Sequence, residues 1–479
     1  MKSIIIQFLL AALLLTPAVT TAQGAEPASP ETAAHNEARM AWWHEAKFGM
    51  FIHWGLYAIP ARGEWVMRTE KFPIAEYEKF TEQFNPVKFS AEGWVKIAKD
   101  AGMKYIIITA KHHDGFAMFG SKVSPYNIVD ATPFKRDPMK ELAAACAKEG
   151  IKLGFYYSQS HDWHFPGGGK PGRPWDPAQK GDFDHYLQTL AFPQLKELLN
   201  GYNPAVIWFD TPFSMTPAIA REFAQIVRTI KPETIFNSRL LYHGRDIPGL
   251  NPAQLDELRD IGVDYLSYGD RHIPDQPAPS WRRNWETCMT LNGAWGFNAN
   301  DQKWKSPQTV VKMLAEVVGK GGNFLLNFGP TAEGEMPPQA VKIVEQVRAW
   351  LRVNGEAIYG AGPSDLISKS KPETNAETAP AGKKKKESAE SRIEWVGTTR
   401  SADETAGQPA KIYLLIFKRP AGQLDVPGVK SKISRAYRLG DTERKPLKIS
   451  QNEGTLSVDL ADIEPDPIAT VICLERDTD

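Results

Sequence analysis

The sequence predicts an α/β fold: a (β/α)8 TIM-like barrel followed by a small C-terminal antiparallel β-sandwich. Three observations predict it. From about Trp42 to Tyr359, apolar runs of strand length alternate with amphipathic helical stretches, and about eight such units fit. Polar and aromatic residues recur where the apolar runs end. After a segment rich in Lys, Glu, Ala, Pro and Ser, the helical pattern stops and short strand-like runs separated by turns take over.

The predicted barrel strands are Phe48–Trp54, Tyr105–Ala110, Leu153–Ser158, Ala205–Asp210, Thr234–Arg239, Val263–Tyr268, Ala294–Asn298 and Asn323–Gly329. The stretches Ser90–Ala101, Pro138–Glu149, Tyr186–Leu199, Pro217–Ile230 and Ser306–Val318 are predicted to be helices between them. Such alternation implies a parallel sheet covered by helices. A doubly wound sheet is the competing arrangement, but no strand is followed by a G-x-G-x-x-G turn. The barrel is expected over 36–360 and the sandwich over 361–479. The sandwich region opens with a flexible Lys/Glu-rich insert at 368–391, which carries the run Lys383–Lys386 and too little apolar surface to fold. Its expected strands are Arg392–Val396, Ala410–Phe417, Lys432–Arg438, Leu447–Gln451, Thr455–Leu460 and Thr470–Leu474. There is no internal repeat.

The 479 residues exceed one typical domain. The 57 basic side chains balance the 57 acidic ones, which argues against a nucleic-acid surface or a polybasic membrane contact. Residues 1–22 read as a secretory signal: Met1-Lys2, an apolar core from Ile4 to Leu15, then small residues suited to cleavage. The mature protein is therefore expected in the periplasm or outside the cell, with no membrane span. Cys146, Cys288 and Cys473 are too few and too far apart for a disulfide framework. The 14 tryptophans suit sugar binding, although buried Trp is also ordinary core material.

In a parallel barrel, function gathers at the C-terminal ends of strands. Here those ends carry His53-Trp54, then Glu64-Trp65, Lys111-His112-His113-Asp114, Tyr156-Tyr157, Trp208-Phe209-Asp210, Arg239, Asp270-Arg271 and Trp295. Any one of these has a structural explanation, as a cap, a packed ring or an ion pair. Independent structural roles need not all fall on one rim, so the joint pattern favours a polar pocket with aromatic walls. Two carboxyl groups across an oxocarbenium-like transition state are what glycoside hydrolysis requires. Imidazoles and an arginine supply directional donors for sugar hydroxyls. Metal ligation is the rival for the paired histidines. Neighbours on a strand face opposite ways, and there is no H-x-H, H-E-x-x-H or cysteine cluster, so neither metal nor cofactor is expected.

Several segments resemble glycoside hydrolase family 29, the α-L-fucosidases: 50–55 (MFIHWG), Gly63-Glu64-Trp65, 111–116 (KHHDGF), Trp208-Phe209-Asp210, Trp285-Glu286-Thr287-Cys288 and 323–327 (NFLLN). The resemblance implies a retaining exo-hydrolase that releases L-fucose from a fucosylated oligosaccharide, glycoconjugate or polysaccharide. It makes Asp210 the nucleophile. It places His53, Glu64, Trp65, His112, His113, Tyr157, Trp208, Arg239 and Trp295 around the sugar, with Tyr156 as the alternative to Tyr157. The acid/base position corresponds to Asp270, where the family commonly has Glu. Glu286 is the alternative acid/base, or a support for the site from behind. Cys288 is expected to be a small buried thiol near the pocket. Two other functions stay open on the sequence: a fucose-binding protein with little turnover, motivated by the Asp at the acid/base position, and a metal-dependent barrel hydrolase.

Overall fold

Eight parallel strands make one curled sheet in the order β5-β4-β3-β2-β1-β8-β7-β6. They are β1 (Phe48–Ile52), β2 (Tyr105–Lys111), β3 (Lys152–Tyr157), β4 (Val206–Phe209), β5 (Ile235–Phe236), β6 (Leu266–Ser267), β7 (Trp285–Thr290) and β8 (Asn323–Phe328). The ring closes thinly. Between β5 and β6 there is a single parallel bridge, Asn237 to Tyr265, with the Ser238 N–H donating to the Tyr265 carbonyl at 2.9 Å. This computed structural model describes residues 33–169, 174–364, 366, 395–402, 409–418, 420 and 422–477. The expected signal segment and all of the Lys/Glu-rich insert lie outside them.

Helices cover the sheet, and local chemistry fixes their ends. Pro138–Glu149, Pro217–Ile230 and Pro307–Gly319 each begin with proline. Proline suits a first turn because its missing N–H would have no partner there. Asp137, Thr216 and Ser306 cap them by accepting a backbone N–H. Pro217–Ile230 buries Ala220, Phe223, Ala224 and Val227, the spacing of one helical face.

Period-two alternation splits each strand between two cores. Phe51, Tyr105, Ile107, Tyr156, Val206, Trp208, Ile235, Tyr265, Cys288 and Leu325 point into the barrel, where Met40 and Trp43 join them from the helix Ala33–Ala46. Their sequence neighbours Ile52, Ile106, Phe155, Tyr157, Ile207 and Phe209 point outward into the layer shared with the helices. The helix Ala33–Ala46 is fastened across the N-terminal mouth by a buried ion pair. Arg39 Nη2 lies 2.6 Å from Asp264, which also meets Arg228 at 2.8 Å.

One predicted strand needs correction. The seventh is Trp285–Thr290, and Ala294–Asn298 belongs to the loop that follows it. All six residues of β7 are buried, but Glu286, Thr287 and Thr290 are polar. A search for apolar runs therefore passes over it. Its polar groups are satisfied internally, as when Thr287 Oγ1 donates to the His272 carbonyl at 2.6 Å.

The C-terminal region forms two antiparallel sheets with a shared core. Four strands, β9 (Trp395–Arg400), β10 (Lys411–Ile416), β12 (Ile433–Arg438) and β15 (Thr470–Arg476), run in the order β12-β15-β10-β9. The other three, β11 (Gln423–Pro427), β13 (Ile449–Asn452) and β14 (Thr455–Asp459), run in the order β11-β14-β13. Strand β11 was not expected. Only Leu424 and Val426 of its five residues are buried, a short signal that ends in proline. Val396, Tyr413, Leu415, Tyr437 and Val471 face the other way and pack on the barrel. Trp350 Nε1 adds a hydrogen bond to the Ala469 carbonyl at 2.8 Å.

Candidate active site

The site lies at the C-terminal ends of the strands, and counting by two from the barrel interior selects its side chains. Asp210 follows Trp208 by two residues, just past the end of β4, and so faces the barrel axis. Tyr156 is also an inward residue, and its hydroxyl donates to Asp210 Oδ2 at 2.9 Å. Tyr157 is an outward residue. Its hydroxyl donates to the Ala191 carbonyl at 3.2 Å and lies 3.1 Å from Gln194 Oε1, behind the strand. The structure thus brings Tyr156 to Asp210 and leaves Tyr157 in the helix layer. This reverses the position preferred from the sequence.

Arg239 stands on the turn Ser238–Leu240 that follows β5. Its Nη1 lies 3.0 Å from Asp210 Oδ1 and 2.8 Å from Asp270 Oδ1. Those two oxygens are therefore at most about 5.8 Å apart, the sum of the two contacts. Nε donates to Ser267 Oγ at 3.0 Å and Nη2 to the Tyr268 carbonyl at 2.5 Å. The guanidinium carbon sits 4.7 Å from the centre of the Trp208 ring. These contacts hold the side chain from every direction. Burial disfavours ionisation of Asp210, but the Arg239 charge and the hydrogen bonds from Arg239 and Tyr156 outweigh it. They hold the carboxyl well below the usual range.

Both carboxylates precede a residue in the left-handed region, Thr211 at φ 55° and Arg271 at φ 58°. A β-branched residue there is strained, at a cost of roughly 1–3 kcal/mol. Thr211 is held in place by Ser160 Oγ, which donates to its carbonyl at 2.8 Å. Asp210 is only 15 % exposed, whereas Asp270, on the loop after β6, is 46 % exposed.

Glu286 occupies a different level. It is fully buried in the barrel below Trp208. Tyr105 donates to Oε2 at 2.7 Å and Trp208 Nε1 to Oε1 at 2.8 Å. Burial pushes its carboxyl up to about 7. That value alone would suit a general acid, but both oxygens are occupied and neither reaches the pocket. Geometry decides before pKa does. Cys288 lies beside the pair, its sulfur 3.7 Å from Arg239 Nη2 and 3.9 Å from Asp270 Oδ1. Burial raises its thiol pKa despite the nearby guanidinium.

The histidines line the opposite wall. His53 is bonded through Nδ1 to Asn327 Oδ1 at 2.7 Å, and burial lowers its pKa to about 4. His113 Nδ1 lies 2.7 Å from Ser158 Oγ, whose own proton goes to the His161 carbonyl at 2.6 Å. His113 therefore carries its proton on Nδ1 and turns an accepting Nε2 toward Thr211 and Tyr156. His112 and His113 were expected to face opposite ways. Their rings lie 4.2 Å apart on the same side, because β2 ends at Lys111 and both sit in the turn beyond it. Burial lowers the pKa of both. His112 Nδ1 is buried with no hydrogen-bond partner in the protein. Among the described residues, no group of three or more His, Cys, Asp or Glu side chains is placed to hold a metal ion.

The remaining predicted residues close the ring. Glu64 accepts the Gly296 N–H at 2.9 Å, and burial raises its carboxyl pKa. A side chain on Gly296 would meet the Tyr57 ring 2.9 Å away, so the close approach requires glycine. Trp65 packs edge-on to His113 at 5.3 Å, and Trp295 lies 5.2 Å from His53. Trp208 is a buried platform beneath Arg239. Sequence reasoning did not single out Gln159, Ser158 or Asn327 for the site. Gln159 Oε1 accepts the Asp210 backbone N–H at 2.9 Å. Asn327 stood within one of the quoted segments, two residues past the inward Leu325, and that spacing was the available signal.

Residues 15–356 match the family model described as α-L-fucosidase. The chain is 31% identical over 347 residues to the plasma α-L-fucosidase of Homo sapiens, covering 67% of this chain and 69% of that one. It is 31% identical over 356 residues to the tissue α-L-fucosidase of Mus musculus, covering 67% and 72%. Its structure resembles α-L-fucosidase isoenzyme 1 from Paenibacillus thiaminolyticus with a TM-score of 0.77 at 34% identity, covering 93% of this chain and 100% of that one. A covalent intermediate trapped in a family 29 α-L-fucosidase from Bacteroides thetaiotaomicron matches with a TM-score of 0.73 at 26% identity, covering 92% and 96%. The barrel, the ring of strand-end residues and these matches agree, and the chain belongs to the α-L-fucosidase family.

Proposed function

We propose that this site releases L-fucose from α-L-fucosides by double displacement, with Asp210 as the nucleophile and Asp270 as the acid/base. Family membership makes the enzyme a retaining α-L-fucosidase. The observation that carries the residue assignment is the single Arg239 nitrogen shared by the two carboxylates. Oxygens at most about 5.8 Å apart accord with the roughly 5–5.5 Å of retaining enzymes and fall short of the ~6.5–9.5 Å that inversion needs. Asp210, held ionised, attacks the anomeric carbon and forms a fucosyl ester. Asp270 protonates the departing oxygen, then deprotonates the water that cleaves the ester. To reach the departing oxygen, Asp270 must give up its contact with Arg239 when substrate seats. Its place on an exposed loop permits this movement.

His53, His112, His113, Glu64, Trp65 and Trp295 supply the sugar contacts in this reading, joined by Tyr156. The unpartnered Nδ1 of His112 suits a sugar hydroxyl, since a buried polar atom without a partner calls for one. Glu286 acts through Trp208 and Tyr105. The substrate is a fucosylated oligosaccharide, glycoconjugate or polysaccharide. Export to the periplasm or medium is supported by the charged start and apolar core of residues 1–22, and no helix among the described residues is long and apolar enough to cross a membrane.

The test is chemical rescue. Asp270→Ala should lose hydrolysis of a natural fucoside and regain turnover of an aryl fucoside when azide is added. Glu286→Ala should show no rescue. Rescue of Glu286→Ala alone would transfer the acid/base role to Glu286. Asp210→Asn should cost at least about a thousandfold in kcat, and normal activity in that variant would remove the nucleophile assignment.

A further inference from the structure

Gly244 opens the turn Gly244–Gly249 in the loop after β5 and is buried. The turn is held by the buried side chain of Ile247 and by the Asp246 N–H, which donates to the His243 carbonyl at 2.8 Å. Gly244 does not have the left-handed backbone that reserves a position for glycine, so its backbone would accept alanine. Space is the constraint. A Cβ at Gly244 would lie 2.6 Å from the Tyr268 carbonyl oxygen and 2.9 Å from Arg239 Nη2. Those two atoms are joined by the 2.5 Å hydrogen bond that fixes one end of the guanidinium. A methyl group at Gly244 would crowd donor and acceptor together, and one of them would have to shift. Gly269, beside Asp270, rests on the same turn, but a Cβ there would be 3.5 Å from Arg245 Cα, an ordinary contact. The crowding is specific to the bond between Arg239 and Tyr268.

Arg239 Nη2 ends a flexible side chain, whereas the Tyr268 oxygen belongs to the backbone, so the guanidinium gives way first. Its other terminal nitrogen, Nη1, spans Asp210 at 3.0 Å and Asp270 at 2.8 Å. An outward displacement of about 1 Å takes both contacts beyond hydrogen-bonding distance. We infer that Gly244 is a positioning residue for the reaction: its missing side chain leaves the room in which Arg239 bonds Tyr268 and so stands between nucleophile and acid/base. The inference rests on the assignment of Asp210 and Asp270 to those roles.

Gly244→Ala is compared with the parent and with Gly249→Ala, an exposed position in the same turn where a Cβ would meet nothing within 4 Å. The full-length proteins are assayed on p-nitrophenyl α-L-fucoside across the acidic pH range. Gly249→Ala should match the parent. Gly244→Ala should lose about tenfold or more in kcat/KM at the optimum. Its acidic limb should also move up by about one pH unit, as when a carboxylate loses an adjacent opposite charge. The sign follows from Asp210, which must be ionised to attack and takes up a proton at higher pH once Arg239 withdraws. Asp210 is also faced by Tyr156, by His113 Nε2 at 3.8 Å, and more distantly by His53, His112 and His243. A double variant separates Arg239 from these groups. In an Arg239→Lys background, which lacks Nη2, adding Gly244→Ala should cost less than about threefold. That arm also holds if the single variant fails to fold, since the crowded nitrogen is gone. Parent-like activity in Gly244→Ala, a loss without the shift of the acidic limb, an equal loss in both backgrounds, or failure of the double variant to fold would overturn the inference alone. Normal activity in Asp210→Asn would overturn the role assignment and this inference with it.

Discussion

Trp208 donates its indole N–H to Glu286 at 2.8 Å, so the ring beneath Arg239 is anchored to a carboxyl sealed inside the barrel. Burial pushes that carboxyl up to about 7. A carboxyl raised in the folded state binds more protons there than in the unfolded chain. Its contribution to stability is complete below its ordinary pKa of about 4.5 and is lost as pH rises toward 7. Glu286→Gln keeps an oxygen for Trp208 and can donate to the Tyr105 oxygen, but it cannot ionise. The variant should therefore lose less thermal stability than the parent between pH 5 and pH 8. Melting curves across that range check this, and identical slopes would contradict it.

Tyr156 and Tyr157 are chemically identical neighbours on opposite faces of β3. Tyr156→Phe removes a donor from the ionised Asp210 and should lower kcat/KM about 10- to 100-fold, the worth of a charged hydrogen bond. Tyr157→Phe should leave kcat/KM near the parent value and cost about 1 kcal/mol of stability. Kinetics and denaturant melts on the two variants separate the effects. Equal kinetic losses would refute the difference between the two faces.

Cys288 sits beside Arg239, which would activate a thiol in an open site. Here burial wins and the thiol is held protonated. Iodoacetamide at pH 8 should leave Cys288 unmodified in the native enzyme and alkylate it after unfolding. Mass spectrometry of the cysteine peptide reads the result, and rapid native alkylation would show the pocket to be more open than its packing indicates.

Asp264 is fully buried between Arg39 and Arg228, far down the barrel from the chemistry. Asp264→Ala removes the carboxylate that faces both the buried Arg39 charge and Arg228, and should destabilise the protein by about 3–5 kcal/mol. Denaturant unfolding measures this, and a change below 1 kcal/mol would mean that water reaches Arg39 readily.

The sequence by itself determined the architecture, because its strongest signals are local. Proline and cap residues set the start of Pro217–Ile230, and apolar runs located seven of the eight barrel strands. The failure at β7 has the same cause: its polar side chains are paid for by partners distant in sequence, such as Tyr105 and Trp208 for Glu286. Asp210, Arg239 and the histidines were also legible as residues at strand ends. Three matters were decided only by the tertiary structure. The strand pleat chose Tyr156 over Tyr157. The end of β2 at Lys111 put His112 and His113 on one side. The convergence of the β4, β5 and β6 ends set Arg239 between Asp210 and Asp270, whereas Glu286 was sealed below Trp208. Sequence records which groups are present at the rim. The distances between groups on different strands come from the register and closure of the barrel, and those distances separate the two candidate acids.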